Sequence, residues 1–309
     1  GTVCTITLYG QSNEKVFQAA FDLIDDIESK MSVSLPNSEV AAINRSAGIA
    51  PVEVSEDTFA VIEQSLEYVN TSIGKFDITV QPLVQLWGIG TEQARIPAQA
   101  EIDEAIGLIS ANDVVLSRPN SAVFLKRKGM AVDLGGIAKG SAADRVKDYL
   151  LDQGFSKGIL NFGGNIVTFG EKAGGDPWVI GIQDPYDTRG TPVGTLDLSE
   201  GAVVTSGIYE RYFERDGRRY HHILDPDTGY PVENELASVS IVADQAIVAD
   251  VFSTIVFALG VTKGMSLLES IPKIDGVLVT KGRKVLVTSG LMPSFSVSNT
   301  DYFLESPDL

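Results

Sequence analysis

Both histidines of the chain stand side by side, His221 and His222, inside the run Tyr220–Val232 (YHHILDPDTGYPV). Histidine is the side chain whose ordinary pKa lets it trade protons near neutral pH. Acid–base capacity of that kind therefore sits in one place, just ahead of a stiff turn. Pro226 fixes its own φ, Gly229 can supply a positive φ, and Asp225 and Asp227 can bond nearby amides. Neighbours in an extended segment point to opposite faces, so at most one histidine readily faces a given cleft. His222, nearer the turn and followed by apolar Ile223 and Leu224, is the candidate general base. The alternative is a surface pair at a strand end.

Four other segments hold chemistry-capable residues. Val132–Gly140 reads as an apolar strand, the glycine-rich bend Gly135-Gly136-Ile137-Ala138-Lys139-Gly140, and a helix start. Exposed amides and a helix N-terminus favour an anion there, with Lys139 adding charge. No Gly-Lys-Ser/Thr closes the run and no G-x-G-x-x-G occurs in it, so it is neither a Walker nor a Rossmann motif; a tight structural turn explains the glycines equally well. In Ala249–Thr254, Asp250 and Thr254 are four apart and share a helix face, with Ser253 adjacent. An unpaired carboxylate in such apolar surroundings is costly, and a hard cation bound by oxygen ligands relieves it. The plainer alternative is a capping or ion-paired Asp250. Asn161-Phe162-Gly163-Gly164-Asn165 would let a flat or anionic ligand approach closely. Thr205-Ser206-Gly207 reads as a hydroxyl-rich turn suited to phosphate oxygens. Most turns of both kinds are structural.

Elements that position these residues follow from periodicity. Thr2–Tyr9 alternates as a strand, Ser12 offers an N-cap, and Asn13–Lys30 is an amphipathic helix. A loop around Pro36-Asn37-Ser38 leads to a short helix ending at Asn44. Val54–Ser72 is helical, Gly74–Val80 is a turn with a short extended segment, Pro82–Gly90 is apolar around Trp87, and Pro97–Ser110 is a capped helix. Strands are expected at Asp113–Ser117, Ala122–Lys126, Gly158–Phe162, Ile166–Phe169, Trp178–Gln183, Gly194–Leu198 and Ser238–Val242, while Ala202–Val204 leads into Thr205-Ser206-Gly207. A helix is expected over Ser141–Gln153 and another over Asp244–Leu259, with a hairpin of Gly276–Thr280 and Lys284–Ser289. Strands and helices mix without strict alternation, which favours α+β over a doubly wound sheet.

The 309 residues and 44% hydrophobic content describe one large domain or two intimate ones. A formal charge of −17, from 24 basic and 41 acidic residues, argues against nonspecific nucleic-acid binding. An anionic substrate would need local help from a metal ion, helix N-termini or clustered amides. Cys4, the single cysteine, excludes an intrachain disulfide and a cysteine-based zinc site. No apolar run reaches the length of a membrane span. No secretory leader is read at the start, and that places the chain in no compartment.

In order along the chain, these segments resemble the ApbE-type flavin transferases, the FAD:protein FMN transferases. The pieces are Gly1-Thr2, Ser38-Glu39-Val40 with Asn44, Gly74–Val80, Pro82-Leu83-Val84 with Leu86-Trp87-Gly88, and Val132–Gly140. Then come Asn161–Gly164, Thr205–Gly207, His222–Pro226 with Thr228–Pro231, and Ala249-Asp250 with Ser253-Thr254. The resemblance implies a T-fold-related α+β architecture of mixed sheets packed with helices. It implies one ApbE-like domain over residues 1–309, or two closely packed subdomains with FAD in the cleft between them. It implies a bacterial periplasmic or extracytoplasmic enzyme, often a lipoprotein anchored to the inner membrane. Such an enzyme splits FAD with Mg²⁺, moves FMN onto a threonine or serine hydroxyl, and releases AMP. Its acceptors are subunits of membrane redox complexes of the Nqr/Rnf type or other flavinylated proteins.

Residue by residue, the resemblance offers Asp250, Thr254, Ser253 and the Gly136 carbonyl as metal ligands. It offers Lys75, Phe76, Asp77, Asp133, Lys139 and Leu224 as lining FAD, and His222 as base; Thr205, Ser206 and Gly207 join the flavin-nucleotide set. Family members often carry a flavin-stacking tyrosine where this chain has Ser34. Serine cannot stack, so FAD would be held more loosely, or water would compete better as acceptor. The methionine usual before Gly-Thr is not in this sequence, which starts at Gly1. Two further readings stay open: an FAD pyrophosphatase, and a noncatalytic flavin-binding lipoprotein.

Overall fold

The computed structural model describes residues 2–10, 13–172 and 174–305. In chain order the elements open with β1 (Cys4–Leu8), α1 (Glu14–Met31), α2 (Glu39–Arg45), β2 (Val52–Glu53) and α3 (Glu56–Thr71). Next are α4 (Gln81–Trp87), α5 (Gln99–Ile106), β3 (Val114–Ser117), β4 (Ala122–Leu125), α6 (Ala138–Asp152), β5 (Gly158–Phe162) and β6 (Asn165–Phe169). Strands β7 (Trp178–Gln183), β8 (Pro192–Leu198), β9 (Gly201–Gly207), β10 (Tyr212–Arg215), β11 (Arg218–His221) and β12 (Leu236–Ala243) lead to α7 (Ala246–Ser270). The series ends with β13 (Ile274–Thr280), β14 (Lys284–Val287), β15 (Phe295–Val297) and β16 (Phe303–Glu305). This is the α+β class expected from the irregular mixing of elements.

The chain divides into two units. One comprises the segment up to Asp22, Lys139–Glu210 and the segment from Asn234 onward; the other comprises Leu23–Ala138 and Arg211–Glu233.

The first unit is built on an eight-stranded sheet of order β1-β5-β6-β9-β12-β13-β14-β16, antiparallel except for the parallel β14–β16 pair. A three-stranded sheet, β15-β8-β7, belongs to the same unit. Its residues Trp178, Ile180, Ile182, Leu196 and Phe295 form one apolar cluster with Val203, Val242, Val277, Val279, Val285 and Val287 of the large sheet. The other face of the large sheet carries α7, which packs on β12, β9, β13 and β6. With a cover on each side, β12 is buried at every position, which explains its near-continuous apolar sequence. By length and composition α7 is apolar enough to cross a membrane, which corrects the expectation that no segment reaches that measure. Asp250 and Lys263 interrupt the run in sequence without ending the helix. Its most apolar stretch is 61% buried within the fold, so it forms part of the core. Gly260, at φ 78° and ψ 178°, breaks α7 into two helical pieces, a geometry open to a residue without Cβ.

The second unit packs Leu83 and Trp87 of α4, Ile102 and Ala105 of α5, and Leu224 into one cluster. Trp87 Nε1 donates to the Gly229 carbonyl at 2.8 Å, which ties the segment after His222 to α4. A small sheet, β2-β4-β3, and the separate hairpin β10-β11 complete it.

Local signals account for most boundaries. Ser38 and Ser55 cap α2 and α3 through their hydroxyls. Ser12 lies outside the described residues; Asn13 Oδ1 accepts from the Lys15 amide at 3.2 Å at the start of α1. Gly1, expected to open the first strand, also lies outside them, and β1 begins at Cys4. Four expectations are corrected. Val132–Leu134 is not a strand: Val132 bonds the Asn44 side chain and the Asp133 amide bonds the Ile78 carbonyl, with no neighbouring strand among the described residues. Ile78–Val80 is a 3-10 turn rather than an extended segment, because Asp77 Oδ1 accepts from both the amide and the hydroxyl of Thr79, at 2.7 Å each. α6 begins at Ala138, so Lys139 lies in its first turn. Thr205, Ser206 and Gly207 belong to β9 rather than a turn, because each pairs with β12.

Glu101 illustrates how α5 is anchored. Its carboxylate accepts from the Ala98 amide at 2.8 Å and receives both Arg95 guanidinium nitrogens. Those bonds, the Arg95 bond first, pull its pKa down to about 2. A carboxyl depressed in the folded state adds stability above its unfolded pKa of roughly 4 and loses it as pH falls through the folded value. Glu101→Gln is therefore expected to lower the urea midpoint at neutral pH, with the difference from the parent shrinking as pH falls from roughly 5 toward 2. A pH-independent difference would contradict this account.

Candidate functional site

In the first unit the chemistry-bearing residues gather where α6 and α7 begin. Asp250 is 3% exposed. Its Oδ2 accepts the Gly140 amide at 2.9 Å, and its Oδ1 lies 3.3 Å from the Lys139 ammonium. Lys139 also donates to Asn165 Oδ1 at 3.2 Å. These bonds require α6 to approach α7 closely, and Gly140 permits it. A Cβ there would fall 2.4 Å from the Ala246 carbonyl oxygen and 2.6 Å from Ile247 Cα. One turn further along α6, Asp144 accepts from the amides of Ala246 and Ile247, both at 2.9 Å. It thus caps α7 and places negative charge at the positive end of the helix. Burial pushes the Asp144 carboxyl up, opposed by those two amides.

Three residues after Asp250, the Ser253 hydroxyl donates to the Asp250 carbonyl at 2.8 Å and lies 2.8 Å from Ser206 Oγ. A serine hydroxyl has one hydrogen, so Ser206 is the donor in that second contact. Thr254 lies one turn after Asp250 on the same face and is half-buried. Adjacent Thr205 points to the opposite side of β9, where its hydroxyl meets Ser240 Oγ at 2.7 Å. The structure therefore joins Lys139, Ser206, Asp250 and Ser253 and directs Thr205 elsewhere. Gly207 sits at the end of β9 opposite Ser238.

In the second unit, Asn44 holds the Val132 backbone at both its amide and its carbonyl, at 2.7 and 2.9 Å. The next residue, Asp133, donates its amide to the Ile78 carbonyl at 2.7 Å and accepts the Gly135 amide at 2.6 Å. Burial pushes its carboxyl up, against the pull of that amide and of the Arg211 charge. Asp77 Oδ2 accepts the Ala111 amide at 3.2 Å. Phe76 is buried. Its neighbour Lys75 is gripped by Asp225 at 2.9 Å and Asp227 at 2.8 Å. Burial alone would lower the Lys75 pKa; the two carboxylates outweigh it and raise it. Leu224 is buried and bridges to Pro231. Ser34 is exposed in the turn before α2. Gly136 belongs to this unit and lies three residues before Lys139 along the chain.

The two histidines part as strand alternation requires. His221 is buried and its Nε2 meets the Val232 carbonyl at 2.9 Å. His222 is half-buried. Its amide donates to the Arg211 carbonyl at 3.0 Å, and its Nδ1 lies 3.3 Å from the same oxygen. A carbonyl only accepts, so this contact puts a proton on Nδ1. Arg211 thus meets His222 through its backbone carbonyl while its charge acts on Asp133, a role that reading by segments passes over. The signal was available: Asp216-Gly217 is a hairpin-turn pair, and counting outward from it sets Arg211 opposite His222.

Among the described residues no group of three or more His, Cys, Asp or Glu gathers for a metal. Asp250, Ser253 and Thr254 instead form a sparse, all-oxygen donor set. That chemistry fits Mg²⁺, which typically takes one or two carboxylates and fills its other positions with water and substrate phosphate.

The ApbE family model matches residues 1–278, and the chain belongs to the ApbE family. It is an enzyme of the transferase class, as its relatives are. A Klebsiella pneumoniae protein named FAD:protein FMN transferase is 38% identical, covering 98% of this chain and 93% of its own length. A Treponema pallidum protein of the same name is 34% identical, covering 99% and 89%. Among solved structures, the ApbE protein of Thermotoga maritima superposes with a TM-score of 0.87 at 34% identity over 94% of each chain. The flavin transferase ApbE of Vibrio cholerae gives 0.84 at 27% identity, over 95% of this chain and 98% of its own.

Gly140→Ala is expected to destabilise the protein by about 1–3 kcal/mol through overpacking at Ala246 and Ile247, read as a lowered urea midpoint. An unchanged midpoint would show that the two helices do not depend on this close approach.

Proposed function

We propose that this chain is a Mg²⁺-dependent FAD:protein FMN transferase. The buried Asp250 carboxylate, bonded to the Lys139 ammonium and the Gly140 amide, carries the reading. In an acidic protein it provides a place where cation and phosphate charge can balance. Family membership supports the same conclusion.

In the proposed reaction the oxygen of an acceptor threonine or serine bonds to the FMN-side phosphorus of FAD. The phosphorus–oxygen bond to the AMP half breaks, and AMP leaves with the bridging oxygen. His222 Nε2 takes the acceptor's proton, and the Arg211 carbonyl holds the ring in the required tautomer. Lys139 offers positive charge to phosphate oxygens. Asp250, Ser253 and Thr254 would hold the Mg²⁺, with the Gly136 carbonyl as the further ligand that the family resemblance offers. When bound, the ion offsets charge on the phosphates. Lys75, Phe76, Asp77, Asp133 and Leu224 serve FAD binding. The transferred group is charged throughout, so catalysis rests on positioning and charge stabilisation. Acceptors on membrane redox complexes of the Nqr/Rnf type, met at the extracytoplasmic face, belong to the same proposal.

A second reading rests on Ser34, which is exposed and offers no ring for flavin stacking. With water as acceptor, the same groups hydrolyse FAD to FMN and AMP.

Incubation with FAD and MgCl₂, with and without a flavinylatable acceptor domain, separates the readings. Transfer adds one FMN to the acceptor's mass with one AMP released. FMN and AMP formed without acceptor indicate hydrolysis, and FAD left intact in both arms rejects catalysis. Asp250→Asn is expected to abolish turnover while far-UV dichroism is retained; parental turnover in excess chelator would reject the metal ligands. His222→Ala is expected to slow transfer by roughly 10²–10⁴-fold with FAD affinity near parental. Lost affinity with normal turnover of the bound fraction would reject the base.

A further inference from the structure

Asn165 opens β6 and is 1% exposed. It follows the Gly163–Gly164 turn, whose residues take φ of 64° and 104°, and it pairs with Phe162 across that turn. Its neighbour Ile166 packs with the cluster under the three-stranded sheet. Strand alternation therefore turns Asn165 to the other face, the one that carries α7. There Oδ1 accepts from Lys139 at 3.2 Å. Lys139 has only donors, so the amide cannot be flipped without opposing donor to donor. The Nδ2 group is fixed by this argument, and it is buried with no hydrogen-bond partner.

A buried amide donor left without an acceptor is destabilising, and its presence calls for an explanation. The side chain stands beside Lys139, which is itself bonded to Asp250. A donor next to an ammonium suits an anionic oxygen. We infer that Asn165 is a substrate-binding residue whose Nδ2 donates to a phosphate oxygen of the dinucleotide while its Oδ1 holds Lys139 in place. This rests on the proposed reading of FAD as substrate. Asn165 would thus serve the phosphates directly and position Lys139 toward them. Placed at the close of a glycine turn, it is held by the sheet rather than by a mobile loop.

The probes are FAD, ADP and riboflavin; ADP carries the phosphates without flavin, and riboflavin the flavin without phosphate. Titration calorimetry in MgCl₂ is expected to show Asn165→Ala weakening FAD and ADP by roughly 10- to 100-fold, the range for a hydrogen bond to a charged group. Riboflavin binding should be unchanged, and the melting temperature of the ligand-free protein unchanged or raised, because an unsatisfied buried donor has been removed. In ¹H–¹⁵N spectra of the parent, the side-chain amide pair assigned by its loss in Asn165→Ala should move downfield on adding ADP and stay in place on adding riboflavin. An amide pair unmoved by ADP, or equal ADP affinity in parent and variant, overturns the inference while leaving the transferase reading intact. A parent that binds neither FAD nor ADP overturns both.

Discussion

The contact between the Gly140 amide and the Asp250 carboxylate governs the arrangement around it. It exists because Gly140 has no side chain, which lets the start of α6 lie against the backbone of Ala246 and Ile247. That approach also brings Asp144 to the exposed amides of α7 and Lys139 to Asp250. One missing Cβ thus sets a cap, an ion pair and a buried carboxylate together. Asp250 in turn is tolerated in an apolar helix because each oxygen has a donor, which removes most of the penalty for burying a charge.

Much of this architecture was legible in the residues. Alternation placed most of the strands, and serine caps placed α2 and α3. The i, i+4 spacing placed Asp250 and Thr254 on one helix face. Strand parity alone separates His221 from His222. What escaped the reading is long-range. Thr205-Ser206-Gly207 looks like a turn because serine and glycine favour turns locally; pairing with β12 overrides that preference. One miss is local: the 3-10 turn at Ile78 arises from the Asp77 side chain, which accepts the amide two residues on and competes with extended backbone. The contacts of Asp144 and Asn165 depend on which segments meet in space, and no local pattern reports that. Lys75 shows the same limit. Its grip by Asp225 and Asp227 joins residues 150 and 152 positions apart.

The charge distribution follows a consistent logic. A net charge of −17 repels an anionic ligand in general, so positive groups must be held at chosen points. Lys139 and Lys75 are each held by aspartates, and the Arg211 charge partly offsets the burial that pushes the Asp133 carboxyl up. Such pairing fixes long side chains that would otherwise sample many rotamers, and it keeps each cation from the acidic surface at large. A ligand that displaces part of such a pair meets a charge already oriented.

The chain passes between its two units four times, at residues 22/23, 138/139, 210/211 and 233/234. No single backbone cut can release either unit whole. Complementary fragments split at any point between residues 23 and 233 would each carry part of both. Excising either unit intact therefore takes a cut at all four crossings.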